Sequence, residues 1–255
     1  MAKVNQHTLN KEIEELIKRK DANNEKYSTE EVAFIQHYEG SGGQGKKGAS
    51  GEGVLYEFYT PDFVVELMWE LAYHYGYDGG NILEPGIGTG RMIRPAKDFK
   101  KCVGFEINLI SARIAEITYP GCTVYKEYFE TAFLQSPRYT SRLKEKLTWL
   151  QEYPFSLIIG NPPYGIYKNQ YSSYFPEAKK LKQIENFFIY QGLKLLKPGG
   201  LLIYLTGSNF LRNGDTYNEA KQEIGALANL VDAYRLPPVF KNSNVPTDII
   251  ILRRK

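Results

Sequence analysis

Cysteine is nearly absent: Cys102 and Cys122 are the only two in 255 residues. That excludes a disulfide-built scaffold and suits a reducing, cytoplasmic compartment. Long hydrophobic runs are missing too. No stretch of about 18 apolar residues occurs, which argues against a membrane-spanning helix. The opening MAKVNQHTLN lacks the apolar core of a secretion signal. Charge of one sign is not in excess. With 32 Lys+Arg against 29 Asp+Glu the formal charge is +3, so contact with nucleic acid needs a local basic patch. The three histidines, His7, His37 and His74, are scattered without ligand spacing, so no metal is assigned. What is abundant is tyrosine, with 20 residues; its flat face and polar tip suit stacking surfaces as well as cores. Hydrophobic residues at 42% and charged residues at 24% exclude collagen, coiled-coil and wholly disordered chains.

Residues 1–38 are polar, with six Lys/Arg and seven Asp/Glu. Ile13, Leu16 and Ile17, then Val32, Phe34 and Ile35, form weak helical stripes and predict two short helices. The first stripe reads as a docking face. GSGGQGKKGASGEG at 40–53 reads as a flexible linker, because glycine entropy opposes regular structure. Residues 1–53 are thus an extension with a linker, and 54–255 a second unit, which the resemblance drawn below implies is a catalytic domain without a C-terminal recognition domain.

From residue 54 apolar runs of strand length alternate with amphipathic stretches. Strands are expected at 81–85, 102–107, 123–128, 155–161, 200–206, 230–236 and 247–254. Helices are expected at 62–75, led in by Pro61 at its first position, and at 90–97, 108–119, 139–151, 184–196 and 216–227. This alternation predicts an α/β fold, a doubly wound, mostly parallel seven-stranded sheet. Lys197-Pro198-Gly199-Gly200 reads as a helix stop and strand start. The last two strands are joined by PPVFKNSNVP, too short for a crossing helix, so the final strand is expected to be antiparallel.

In such sheets ligands sit beyond the carboxyl ends of the strands. After the first strand comes Glu84-Pro85-Gly86-Ile87-Gly88-Thr89-Gly90. It is one residue short of the dinucleotide spacing G-x-G-x-x-G. Its glycines allow close backbone approach, and Glu84 disfavours a pyrophosphate and favours a ligand with positive charge, such as an amino group near a sulfonium. Glu106 ends the second strand 20 residues after Gly86, where an acid commonly takes ribose hydroxyls. After the fourth strand comes Asn161-Pro162-Pro163-Tyr164. Two prolines remove two N–H donors and stiffen the backbone. The Asn161 amide oxygen and Pro162 carbonyl then form a receptor for a planar group carrying NH2, with Tyr164 to stack on it. Tyr164, Tyr167, Tyr171, Tyr174 and Phe175 interleave with Lys168, Lys179, Lys180 and Lys182, as expected of a mobile loop that orders on a nucleic-acid strand.

The pieces YEFYTP (56–61), ILEPGIGTG (82–90), VGFEIN (103–108), FSLIIGNPPYG (155–165), LKLLKPGGLLIYL (193–205) and VFKNSNVPTDIIILRR (239–254) occur in an order that resembles the gamma-class N6-adenine DNA methyltransferases. QHYEGSGGQG at 36–45, with the later motifs, loosely resembles the methylase part of large phage and mobile-element proteins that fuse a methylase to a helicase. The resemblance implies a class I, Rossmann-like, S-adenosylmethionine-dependent fold and DNA as partner, with a separate recognition or helicase module. It implies catalysis by Asn161, Pro162, Pro163 and Tyr164. The cofactor would be held by Tyr59, Thr60, Glu84, Pro85, Gly86, Gly88, Gly90, Glu106, Ile107, Tyr128, Asn161 and a third acid, Glu127 or Glu130, with Glu127 preferred. Phe240 matches the family aromatic that packs on the flipped base; a plain core role is its alternative. Transfer to RNA or to a protein glutamine fits the same elbow, and so does a methylase-like module that binds without turnover.

Overall fold

The computed structural model describes residues 5–39, 58–134, 154–168, 170–208, 210–212, 215–240 and 246–255. The glycine-rich linker, the predicted helix at 139–151 and the tip of the final hairpin lie outside them. Seven strands form one sheet in the order β3-β2-β1-β4-β5-β7-β6: β1 Asn81–Glu84, β2 Cys102–Phe105, β3 Thr123–Tyr125, β4 Phe155–Gly160, β5 Leu196–Gly207, β6 Ala228–Leu236 and β7 Thr247–Arg254. β1 to β5 pair in parallel. β7 runs antiparallel between β5 and β6, as the short final connection requires.

Every residue of β4 is buried, which explains its unbroken apolar run: a central parallel strand is covered on both faces. Each such aliphatic side chain contributes about 1.5–3 kcal/mol on burial. One face carries α3 (Asp62–His74), whose Val64, Val65, Met68, Trp69 and Ala72 pack on Leu157, Ile159 and Ile203. The other carries α6 (Ile184–Leu195) and α7 (Asp215–Leu227), packed over Ile158, Leu202 and Tyr204.

A third cluster joins the N-terminal extension to this body. α1 (Gln6–Ala22) and α2 (Thr29–Ile35) bury Ile13, Ile17 and Ile35 with Ile114 of α4 (Leu109–Thr118). Arg113 of α4 pairs with Asp21 at 2.7 Å. The Ile13/Leu16/Ile17 stripe is thus a docking face within the chain. α1 spans 17 residues, longer than its faint stripe implies, because only a narrow strip meets α4.

Four expectations are corrected. The helix expected at 90–97 is a single 3-10 turn, Arg91–Ile93, because Pro95 has no N–H to continue it. Leu196 pairs with Phe155 and Leu201 with Leu157, so Lys197–Gly200 is a bulge inside β5. Pro61 is the N-cap of α3, not its first residue. The aromatic segment after Tyr164 is folded rather than loose. Tyr167 stacks on Phe187 at 4.1 Å, Phe175 is buried beside it, and α5 (Ala178–Leu181) lies within it. Two of its five aromatics are thereby committed to the core.

Candidate active site

The strand order reverses at β1, which pairs in parallel with β2 on one side and β4 on the other. Beyond their carboxyl ends opens a cleft of about 570 Å³, lined by residues 58–60, 84–89, 105–107, 127–130 and 161–166 among others. Its position is that of ligand sites in doubly wound sheets.

The floor is the loop after β1. Gly88 has φ +53°, and Gly90 has φ +83°, a conformation in which side chains are strained. A Cβ on Gly88 would meet the Tyr59 ring at 3.2 Å. Glu106 fixes this loop: its carboxylate accepts from Gly88 N–H at 2.8 Å and Asn108 N–H at 2.7 Å. Glu84 is 3% exposed and its Oε2 has no hydrogen-bond partner. Burial, and then the nearby Glu106 charge, push its carboxyl well above the usual range. Without ligand that carboxyl is held protonated, and a cation brought beside it in the cleft would favour its ionised form.

The opposite wall is the elbow after β4. Asn161 Nδ2 donates to the Phe58 carbonyl at 2.9 Å, and its Oδ1 accepts from the Tyr164 hydroxyl. That hydroxyl also lies 3.2 Å from the Leu205 carbonyl. Burial raises the Tyr164 pKa, with the Glu185 charge adding to it, so the phenol stays a donor. The two walls meet: a Cβ on Gly86 would come 4.0 Å from Pro163 Cδ. Glu185, 5% exposed at the start of α6, accepts from Gly165 N–H at 3.3 Å and ties the elbow to that helix.

The remaining wall is Phe58-Tyr59-Thr60. The Tyr59 hydroxyl bonds Ser111 Oγ at 2.8 Å, and the Arg91 guanidinium lies 5.2 Å from its ring centre. Arg91 also donates to the Tyr38 carbonyl at 2.9 Å. Of the two acid candidates after β3, Glu130 is 1% exposed and accepts from the Tyr167 hydroxyl at 3.0 Å. Glu127 is half-buried and accepts from Thr131 Oγ1 at 3.0 Å. Both line the cleft.

The structure therefore brings Tyr59, Thr60, Glu84, Pro85, Gly86, Gly88, Glu106, Ile107, Glu127, Tyr128, Asn161, Pro162, Pro163 and Tyr164 to one cleft. Two expected residues fall outside its lining. Gly90 lies against α4, where a Cβ would strike the Tyr119 ring at 2.6 Å; its role is close packing. Phe240 is buried with its ring 5.0 Å from Phe58 and reaches the cleft only through that residue. Phe58, Arg91, Ser111 and Glu185 were not singled out by the sequence. Cys102 and Cys122 line no part of the cleft, and burial pushes both thiols up to about 12.

The donor set fits S-adenosylmethionine. The orphan Glu84 carboxylate suits its ammonium, Glu106 and Glu127 suit its adenosine hydroxyls and amine, and the glycine loop leaves room for its sulfonium chain. Among the described residues no helix is long and apolar enough to cross a membrane.

The fold is shared with solved methyltransferases. One is the modification subunit of a putative type I restriction enzyme from Vibrio vulnificus YJ016. It has a TM-score of 0.62 and 19% identity over 89% of this chain and 50% of that one. Another is a putative class I S-adenosylmethionine-dependent methyltransferase from Listeria monocytogenes, with TM-score 0.62 and 18% identity over 89% and 69%. Defense against restriction protein B of Escherichia phage P1 is 25% identical over 228 residues, which are 88% of this chain and 9% of the phage protein. The chain thus spans under a tenth of that relative's length. Residues 100–240, more than half of the chain, match the family described as the Eco57I restriction-modification methylase, and with the class I S-adenosylmethionine-dependent methyltransferase fold around this cleft the chain belongs to that family.

Proposed function

We propose that this chain transfers a methyl group to the exocyclic N6 of adenine in DNA, with the base turned out of the helix into the cleft. The observation that carries the reading is the Asn161–Tyr164 elbow opening on the same cleft as the orphan Glu84 carboxylate, with Gly86 and Pro163 in contact between them.

The chemistry follows from the elbow. The adenine amine is a poor nucleophile because its lone pair is delocalised into the ring. Asn161 Oδ1 keeps one lone pair beyond that taken by Tyr164, and the Pro162 carbonyl offers another acceptor. Together they hold both amine hydrogens and favour a tetrahedral nitrogen; as the N–C bond forms and the S–C bond breaks, the thioether S-adenosylhomocysteine would leave and one of these hydrogens would be lost as a proton to solvent. The Asn161–Phe58 bond fixes the orientation of the amide. Bound in the cleft, S-adenosylmethionine supplies an electrophilic methyl group. Catalysis on this reading is positioning and electrostatics, without a covalent enzyme intermediate. Tyr164 supplies a stacking face, and Phe58, backed by Phe240, a second apolar surface. The base is unreachable inside a duplex, so it is extruded at about a few kcal/mol. The restriction-modification methylase family supports DNA as the substrate, and a separate module for sequence recognition or helicase action belongs to the same reading.

The test is incubation with labelled S-adenosylmethionine and DNA lacking adenine methylation, followed by nucleoside chromatography. Label is expected in N6-methyl-2′-deoxyadenosine, and Asn161→Ala is expected to lower transfer about 10²–10³-fold. Label in cytosine, in RNA only or in protein, or full transfer by Asn161→Ala, overturns the reading.

A further inference from the structure

Ile166 stands two residues beyond the elbow. It lines the cleft, yet it is 79% exposed, the most exposed large apolar side chain among the described residues. A single exposed isoleucine is unremarkable on a protein surface, so exposure alone decides nothing. Its mounting does. Gly165, at φ +118°, turns the chain at the rim. Ile166 and Gln183 then form an antiparallel bridge, flanked by Tyr167 N–H to the Lys182 carbonyl at 2.9 Å and Ile184 N–H to the Gly165 carbonyl at 2.8 Å. The next side chain, Tyr167, is anchored in the core by its stack on Phe187 and its bond to Glu130. The backbone of Ile166 is thus clamped on both sides while its side chain projects at the mouth of the cleft. Lys168, exposed and also lining the cleft, lies two residues on.

We propose that Ile166 is the wedge that enters the base stack and fills the space left by the extruded adenine. The inference rests on the proposed function and deepens it. Opening a duplex leaves a gap between neighbouring base pairs, and apolar side chains inserted at such steps hold it open. A rigidly mounted branched aliphatic, beside the Tyr164 that would receive the base, meets the requirement. A flexible or charged side chain would not.

The experiment compares methyl transfer from labelled S-adenosylmethionine to native duplex DNA and to the same DNA denatured to single strands. Single strands need no wedge. Ile166→Ala is expected to lower the duplex-to-single-strand ratio about tenfold or more, since extrusion costs about a few kcal/mol and each 1.36 kcal/mol is tenfold in rate. Ile166→Leu is expected to keep the ratio within about twofold of wild type, and an unchanged melting temperature shows that Ile166→Ala is folded. An unchanged ratio in Ile166→Ala, or a wild-type chain active on single strands alone, overturns the wedge and leaves methyl transfer standing. A wild-type chain that labels neither form of DNA overturns the proposed function itself.

Discussion

On the proposed function, Glu84 is the residue on which cofactor recognition and stability pull in opposite directions. Its carboxyl titrates well above 4.5 because it is buried and faces the Glu106 charge. The folded chain therefore holds a proton that the unfolded chain releases near that value. For an acid whose folded pKa is raised, the favourable contribution is complete below the unfolded pKa and is lost as pH rises toward the folded one. Without ligand, Glu84→Gln should match wild type near pH 4 and melt higher than wild type above neutrality. With ligand the order reverses. An ammonium group drives Glu84 to ionise, so binding of S-adenosylhomocysteine releases a proton and tightens as pH rises toward neutrality. Losing that charged hydrogen bond costs about 1.5–3 kcal/mol, or roughly tenfold to a hundredfold in affinity. Calorimetry in two buffers of different ionisation enthalpy measures the released proton. A pH-independent affinity with no proton release contradicts this account of Glu84.

At the scale of elements, the N-terminal helices are held by apolar packing and not by their ion pairs. Ile13 is fully buried between α1 and α4, whereas Arg113 and Asp21 each keep about a third of their side-chain surface in water. Ile13→Ala should cost about 2–4 kcal/mol, and Arg113→Ala about 1 kcal/mol or less. Urea unfolding measures both, and the reverse order would mean that charge does the docking. The same contrast shows what the sequence could reveal. The β4 strand was legible because burial on both faces leaves an unbroken apolar run. The α1–α4 contact was faint because Ile13 meets Ile114, about a hundred residues away, on a narrow strip. The helix expected after the glycine loop failed at Pro95, and the β5 bulge was hidden because Pro-Gly-Gly also marks a helix end. In the site, Asn161 and Glu84 were legible from their own chemistry at strand ends. Arg91, Ser111 and Glu185 act on the Tyr38 carbonyl, the Tyr59 hydroxyl and the Gly165 N–H, contacts that exist only once the chain has folded.

At the scale of the whole molecule, the cleft is where separate parts of the chain meet. The loops after β1, β2 and β4 converge there with residues 58–60, and the last of these is tied through Tyr59 and Ser111 to the α4 that carries the N-terminal helices. A ligand filling the cleft touches every one of these segments, so its binding energy should appear in the stability of the entire chain. A ligand at a hundred times its dissociation constant adds about 2.7 kcal/mol. For a chain of this size each kcal/mol raises the melting temperature by about 2–4 °C, so S-adenosylhomocysteine should raise it by roughly 5–10 °C. Adenosine offers the same base and ribose to Glu106 and Glu127 but no ammonium to Glu84, and at equal concentration should give a smaller rise. Differential scanning calorimetry with both ligands, on wild type and Glu84→Gln, separates the two ends of the cleft. The variant should lose the advantage of the homocysteine moiety and keep the rise due to adenosine. Equal rises for both ligands in the wild-type chain would place the ammonium away from Glu84, whose carboxyl would then stay protonated in the complex.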